Sequence, residues 1–267
     1  MRSPLGGIGS DSEPTELQMN EEDALAFIKA LTYREVVEGA AVASSSRNVV
    51  ELCYNSDLQW PWPREFKYRL EYFAVAEASE VASVINLEHE IVVNLFHQDL
   101  ASQEAILHEL GLTRAWVNPI MGRDLAQPWL RPVPLGASVR AVTSSKDRNR
   151  FNSVSGISNQ SDVIDDRIHY FFFENDVQVI AKGQLIYLGE GTAYISDLFT
   201  DQAFRQQGWC SAMMAVLEEE ARSLGATRAV LAPGLEQIEL QLYERYGYSR
   251  TAERTLLILS GPRDGAA

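Results

Sequence analysis

From residue 137 onward the apolar positions change period in a regular order. In "ASVRAVT" (137–143) they alternate with polar ones, as a half-buried strand requires. Residues 144–166 are polar and leave room for one or two short helices. "IHYFFFEN" (168–175), "QVIAKGQLIYL" (178–188) and "TAYISDLF" (192–199) then follow, separated by the polar turns "DV" and "GEG". Three strand patterns joined by tight turns predict an antiparallel meander. The period then switches. Apolar residues at 209, 213, 216, 217, 221 and 224 predict a helix over 208–226, stopped by Gly225. "TRAVLAP" (227–233) is a strand, "LEQIELQLYERYG" (235–247) a helix closed by Gly247, and "RTLLILS" (254–260) a last strand. The order predicts an α/β unit with a mixed, mostly antiparallel sheet flanked by helices.

The first half is less regular. Residues 21–43 predict one helix or two, 48–55 a strand, 90–96 a strand and 102–112 a helix, and residues 67–85 are compatible with helix. "LQWPWPREF" is a proline-aromatic loop. The stretch 124–136 holds Pro128, Pro132 and Pro134, with Pro119 upstream, and reads as a connector between halves. Residues 1–18 are rich in Gly, Ser, Pro and acids and read as a disordered tail. This gives three segments: the tail 1–18, a smaller α/β domain 19–134, and the principal domain 135–267.

Composition narrows the function. Hydrophobic content of 46% with 22% charged residues suits a folded soluble chain. No segment is long and apolar enough to span a bilayer, and the N-terminus lacks a secretory signal. Cys53 and Cys210 lie far apart, and His89, His97, His108 and His169 show no metal spacing. No disulfide framework and no metal are expected, and the cytosol is the expected compartment. The net charge of −14 disfavours nucleic acid and anionic membranes. It suits a cationic amine, although acidity that merely aids solubility accounts for it equally. Residues 1–134 carry 10 basic and 20 acidic groups, so −10 of the net −14 is theirs.

One stretch carries chemistry. "FRQQGWCSAMM" (204–214) places Arg205, Gln206, Gln207 and Gly208 at the start of the predicted helix. A helix N-terminus has unpaired N–H groups and positive potential, and so suits a diphosphate. Gly208 lets the backbone approach closely and Arg205 adds a fixed charge. A plain turn with a surface arginine is the alternative for this motif taken alone.

The sequence Arg205-Gln206-Gln207-Gly208-Trp209-Cys210, followed about 38 residues later by Leu242-Tyr243 and Gly247-Tyr248, resembles the two signatures of the GNAT-superfamily N-acetyltransferases. The second small position of the first signature is Cys210 where the family has Gly or Ala. The resemblance implies an acetyltransferase that uses acetyl-CoA and transfers directly to a primary amine in a ternary complex. It implies that Leu198, Phe199 and Thr200 pair with the pantetheine arm, and that the backbone of Gln206 through Ser211 holds the diphosphate. It implies that Tyr243 protonates the leaving thiolate; a packed aromatic is the alternative. Asp197 lies where related enzymes often carry an acid, and is the candidate base. Alternation puts Asp197 and Phe199 on one strand face. A structural carboxylate is the alternative, and Ser196 is a weaker candidate. A catalytically weak acyl-CoA sensor is the competing function. The acceptor is a small-molecule or protein amine, and the assembly a monomer or homodimer.

Sliding the chain by 136 residues lays 90–114 on 226–250 without a gap. Gly111 meets Gly247, Arg114 meets Arg250, and Leu107 meets Tyr243. The first half thus resembles a degenerate GNAT-like unit; a chance likeness of strand–helix–strand segments is the alternative. The same slide lays Arg69 on Arg205 and Tyr72 on Gly208, which predicts that Tyr72 obstructs the corresponding anion site. Trp60 and Trp62 are candidates for a wall of the acceptor site; packing between the domains is the alternative.

Overall fold

A computed structural model describes residues 19–46, 48–54, 70–89, 91–97, 99–128, 132–154, 163–234 and 237–259. The tail, Trp60, Trp62 and Arg69 lie outside the described residues.

In chain order the elements are α1 (Glu21–Val37), β1 (Ala41–Ser45), β2 (Val49–Cys53), β3 (Leu70–Ala74), α2 (Ala78–Val84), β4 (Ile91–Phe96), α3 (Leu100–Glu109) and β5 (Thr113–Asp124). The second half adds β6 (Ser138–Ala141), α4 (Ser145–Asn152), β7 (Ile168–Glu174), β8 (Val179–Tyr187), β9 (Thr192–Thr200), α5 (Trp209–Ser223), β10 (Arg228–Leu231), α6 (Gln237–Arg245) and β11 (Ser249–Leu259). The meander β7–β8–β9 and the β9–α5–β10–α6–β11 order are those the periodicity predicts.

Among the described residues eleven strands form one sheet, ordered β1-β2-β3-β4-β11-β5-β10-β9-β8-β7-β6. Residues 19–134 and 135–267 therefore do not build separate sheets. Each half donates its last strand to the other. β5 lies between β10 and β11, and β11 lies between β4 and β5, all three new contacts antiparallel. α1 also crosses over. It packs on β8, β9 and β10 of the second half as well as on β5 and β11. Phe27 and Tyr194 meet edge to face at 5.0 Å in this layer. Arg228 of β10 donates two hydrogen bonds, of 2.5 and 2.6 Å, to the fully buried Asp23 of α1. Arg123 of β5 donates to the buried Glu218 of α5, which also accepts from the Tyr248 hydroxyl at 3.0 Å.

The repeat is visible in the elements themselves. Adding 136 to β4 (91–96), α3 (100–109) and β5 (113–124) gives 227–232, 236–245 and 249–260, which overlie β10, α6 and β11. Upstream the slide fails. Adding 136 to β3 (70–74) gives 206–210, the turn into α5 rather than strand β9. The connection from β3 to α2 is Val75–Glu77, whereas Asp201–Gly208 joins β9 to α5. Tyr72 is therefore not at a helix start. It lies fully buried in β3, and its hydroxyl accepts a hydrogen bond from the Asn86 N–H at 3.1 Å. The described connection from β3 to α2 is too short to form an anion loop, and α2 begins behind an acid, Glu77.

Two further expectations are corrected. Residues 67–85 hold β3 and α2 rather than a single helix, and β1 occupies part of the stretch read as helix. β5 was concealed by Pro119, a residue that a central strand normally excludes because it cannot donate to the ladder. Pro119 pairs with Glu253 beside a register shift at Arg250/Ala252 of β11, so the strand tolerates the missing donor.

Candidate active site

β9 and β10 run parallel and pair only from Thr192↔Arg228 to Tyr194↔Val230. Beyond Tyr194 the strands part, and β9 continues alone on that side to Thr200. Opposite, on β8, Ser196 pairs with Gln184 and Phe199 with Lys182, so Asp197 and Leu198 together face Gly183. This is a β-bulge. Asp197 takes a φ of 50°, in the left-handed region that a non-glycine residue rarely enters. The expected alternation of Asp197 and Phe199 is broken here. Asp197, Leu198 and Phe199 all line one cleft. Gly183 is required by packing. A Cβ there would lie 2.7 Å from Leu217 Cδ1 and 2.9 Å from Met213 Cγ.

The chain leaves β9 through a single 3₁₀ turn, Gln202–Phe204, and enters α5 through two left-handed residues, Gln206 (φ 62°) and Gly208 (φ 90°). Gly208 is the N-cap of α5 and offers no side-chain cap. The N–H groups of Trp209, Cys210 and Ser211 thus open from the helix end with no helical partner. A Cβ at Gly208 would meet only Pro134 Cγ, at 3.8 Å, so conformation rather than space demands glycine. Arg205 is exposed and donates from Nε to the Thr200 carbonyl at 3.2 Å, bracing the turn to the strand end. Gln207 Nε2 donates to the Ala203 carbonyl. The Trp209 side chain is buried against Phe173 at 5.4 Å, so only its backbone faces the turn. Burial pushes the Cys210 thiol up to about 11, with Glu239 adding to the rise and a hydrogen bond to Tyr246 opposing it. Ser211 Oγ and the Tyr246 hydroxyl share a 2.5 Å hydrogen bond.

A cleft of about 450 Å³ opens from the parted strands. Asp197, Leu198, Phe199, Pro233, Glu239 and Tyr243 form one end. Tyr243 is nearly buried on α6, within a cluster of rings that includes Tyr246 and Tyr248. Burial raises the Tyr243 phenol well above its ordinary range, with Cys210 and Glu239 adding to the rise, so it stays protonated. Burial likewise raises the Asp197 carboxyl, while Arg34, Lys182 and Arg148 oppose the rise. Lys182, on β8, is lowered to about 8 by burial, and its ammonium donates to the Phe151 and Val154 carbonyls. Ser196 donates to Gln184 Oε1 at 3.2 Å.

The other walls come from the first half and from β11: Phe27, Arg34 and Glu35 of α1, Glu71 and Phe73 of β3, Trp116 and Asn118 of β5, and Arg254 of β11. Sequence reasoning placed none of these eight. A signal existed. Glu71 in "LEYFA" and Asn94 in "IVVNLF" are polar residues inside fully buried strands, where an unpaired polar group is costly.

Burial pushes the Glu71 carboxyl from 4.5 to about 7 and that of Glu38 to about 8. A folded state that holds protons more tightly than the unfolded chain loses stability as pH rises through that interval. Through these two acids the thermal midpoint is expected to fall between about pH 5 and pH 8. Lys182, with its lowered value, adds stability only above about 8. Midpoints measured across this range should decline, and Glu71→Gln should flatten the decline. An unchanged slope in Glu71→Gln would show that Glu71 does not hold its proton this way.

Among the described residues no three His, Cys, Asp or Glu side chains gather as a metal site, and no helix is long and apolar enough to cross a membrane.

The segment that carries the strand bulge, the parting parallel strands and the glycine-capped helix is similar to GNAT acetyltransferases. Residues 139–248 match the model of the Acetyltransferase (GNAT) family. An acetyltransferase of Agrobacterium fabrum is 33% identical over 76 residues, 28% of this chain and 55% of that protein. The chain thus spans about half the length of the curated relative it matches. A GCN5-related N-acetyltransferase from Kribbella flavida shares the fold over 93% of this chain and 98% of its own, with a TM-score of 0.69 and 16% identity. A tandem GNAT protein from the clavulanic acid biosynthesis pathway overlays 92% of this chain and 97% of its own, with a TM-score of 0.56 and 10% identity.

Proposed function

We propose that this chain is an N-acetyltransferase that moves an acetyl group from acetyl-CoA to a primary amine by direct transfer in a ternary complex. Two GNAT-like units, 19–134 and 135–267, share one active site in the second. The observation that carries this reading is the parting of β9 and β10 at Tyr194, with the glycine-capped α5 beside it and a cleft lined by Asp197, Glu239 and Tyr243.

The backbone of Gln206 through Ser211 would receive the diphosphate, with the α5 dipole and Arg205 supplying positive potential. Leu198, Phe199 and Thr200, on the unpaired side of β9, would receive the pantetheine amides. The amine nitrogen then attacks the thioester carbonyl. The C–N bond forms, the C–S bond breaks, and the departing thiolate takes the Tyr243 hydroxyl proton. The proton lost from the amine passes to Asp197. The cations around Asp197 favour its charged form before transfer, and burial strengthens its hold on the proton afterwards. Cys210 is a neutral thiol below about pH 11, which favours direct transfer over an acyl-cysteine route.

Thiol release from acetyl-CoA across an amine panel tests the reading. Binding of acetyl-CoA without turnover of any amine would favour a sensor. Tyr243→Phe keeps the ring packing and removes the proton. Turnover is expected to fall by ~10–10³-fold with CoA affinity nearly kept. Full activity in that variant would leave Tyr243 a packing residue.

A further inference from the structure

The far end of the cleft holds a carboxylate that makes no direct ion pair among the described residues and feels Arg254 only at longer range. Glu71 is 7% exposed and lines the cleft. Its two oxygens accept one hydrogen bond each, from the Tyr54 hydroxyl at 2.6 Å and from Asn94 Nδ2 at 2.7 Å. Both donors are neutral. Among the described residues no cation comes within ion-pair distance of Glu71. Arg34 is bonded to Glu35, and Arg254 lies over the Phe27 ring at 5.4 Å. Beside Glu71, the fully buried Asn94 leaves its Oδ1 without a partner.

The near end offers a second free acceptor. Asn118 is 8% exposed and lines the cleft next to Pro233. Its Nδ2 donates to the Pro233 carbonyl at 3.2 Å, which fixes the amide orientation. Oδ1 is then the unpartnered atom. Pro233 and Tyr243 line this same end, so Asn118 stands on the side of the proposed chemistry.

Between the two ends Phe73, Val92, Trp116, Leu256 and Ile258 line the cleft, and Arg254 of β11 lines it next to Asn118, its register partner on β5. Glu71 and Asn118 lie on β3 and β5, which are separated in the sheet by β4 and β11. Three strand spacings amount to roughly 14 Å across the sheet, and the register also sets the two residues four β11 positions apart along it, from Ile258 to Arg254. One amino group cannot serve both ends. Hydrogen-bond acceptors at each end, with mainly hydrocarbon surface and Arg254 between them, suit a chain with a nitrogen at each end and an apolar middle.

We propose that the acceptor is a diamine, whose reacting nitrogen is positioned by Asn118 Oδ1 and whose remote ammonium docks on Glu71 and Asn94 Oδ1. The proposal rests on the acetyl-transfer reading and deepens it. The remote nitrogen remains charged throughout, since only the nitrogen at the Asn118 end gives up its proton. Burial, with the nearby Glu35, raises the proton affinity of the Glu71 carboxyl more than Tyr54, Asn94 and the distant Arg254 lower it. An ammonium placed there would hold the carboxylate ionised.

The test compares α,ω-diaminoalkanes of increasing length with n-alkylamines of the same length, using the full chain and acetyl-CoA. Thiol release and calorimetric binding are both read. At the best length the diamine is expected to exceed the monoamine in kcat/KM on the order of 10–100-fold, the worth of a buried hydrogen bond to charge. In Glu71→Gln this preference collapses through KM, with kcat for the diamine largely kept. Equal use of diamine and monoamine by the wild-type chain would overturn the proposal without any variant. So would a preference that survives in a folded Glu71→Gln. If no amine is acetylated, the transfer reading fails, and calorimetry still decides the site. Diamine binding lost in Glu71→Gln sustains it, and no diamine binding to the wild-type chain refutes it.

Discussion

Gly208→Glu is expected to remove measurable CoA binding from a chain that still folds. The residue caps α5 at a φ of 90°, and a Cβ there meets nothing closer than Pro134 Cγ at 3.8 Å. The left-handed conformation costs a non-glycine residue about 1–2 kcal/mol. That is a small loss for a chain of this size. The carboxylate, however, lands at the end of the helix where the diphosphate would sit. Juxtaposed like charges cost several kcal/mol, so affinity should drop by ~10²-fold or more. Gly208→Ala separates the two effects. It carries the same backbone strain without the charge, and should lose stability while keeping most of its affinity. Calorimetric titration with CoA measures both variants. Unchanged affinity in folded Gly208→Glu would place the diphosphate elsewhere.

The second large effect concerns the division of the chain. Residues 135–267 expressed alone are expected neither to fold stably nor to bind CoA. The family match at 139–248 invites the opposite expectation. The strand exchange decides the matter. Without residues 19–134, β10 loses β5 along one whole edge, and β11 loses both of its neighbours. α1 is lost as well, and with it the Phe27 contact to Tyr194 and the Asp23 partner of Arg228. The buried Val230, Ile186 and Tyr194 would then face water. Co-expression with residues 19–134 should restore a soluble, CoA-binding complex. A monodisperse fragment 135–267 that binds CoA as the full chain does would overturn this account.

The elements of the second half were legible because period and punctuation agree there. Short apolar runs are bounded by turns that carry Gly, Asp and Asn, and the α5 pattern repeats over fifteen residues. The alternation at 137–143 did not foretell burial, since β6 is exposed throughout and β8 is buried on both faces. The repeat was legible as far as β4, α3 and β5 copy β10, α6 and β11 without insertion. It became misleading at Tyr72, where a shorter connection moves the register and a one-letter alignment carries no warning. β5 was hidden by Pro119, whose tolerance depends on a bulge in a strand far away in sequence. The positive φ of Asp197 was hidden for a related reason. The bulge exists because Leu198 and α5 fill the space against Gly183, a tertiary constraint. The acid itself was visible, but its surroundings were not. Arg34, Lys182 and Arg148 reach it from three other elements. The acceptor wall was illegible in the same way, since it gathers residues from α1, β3, β5 and β11.

The position of β11 has a consequence for synthesis. The ribosome delivers β4 and β5 early, yet in the finished sheet these strands do not touch, because the last described strand lies between them. Until residues 249–259 emerge, the nascent chain must keep the edges of β4 and β5 open, or close them on each other and reopen them later. Open edges of apolar strands recruit any strand nearby, including β11 of another chain. A β11 exchanged between two chains would make the same hydrogen bonds as one inserted at home, so linked dimers are the natural error product of this topology. Slow, concentration-dependent refolding follows from the long sequence separation of β11 from β4.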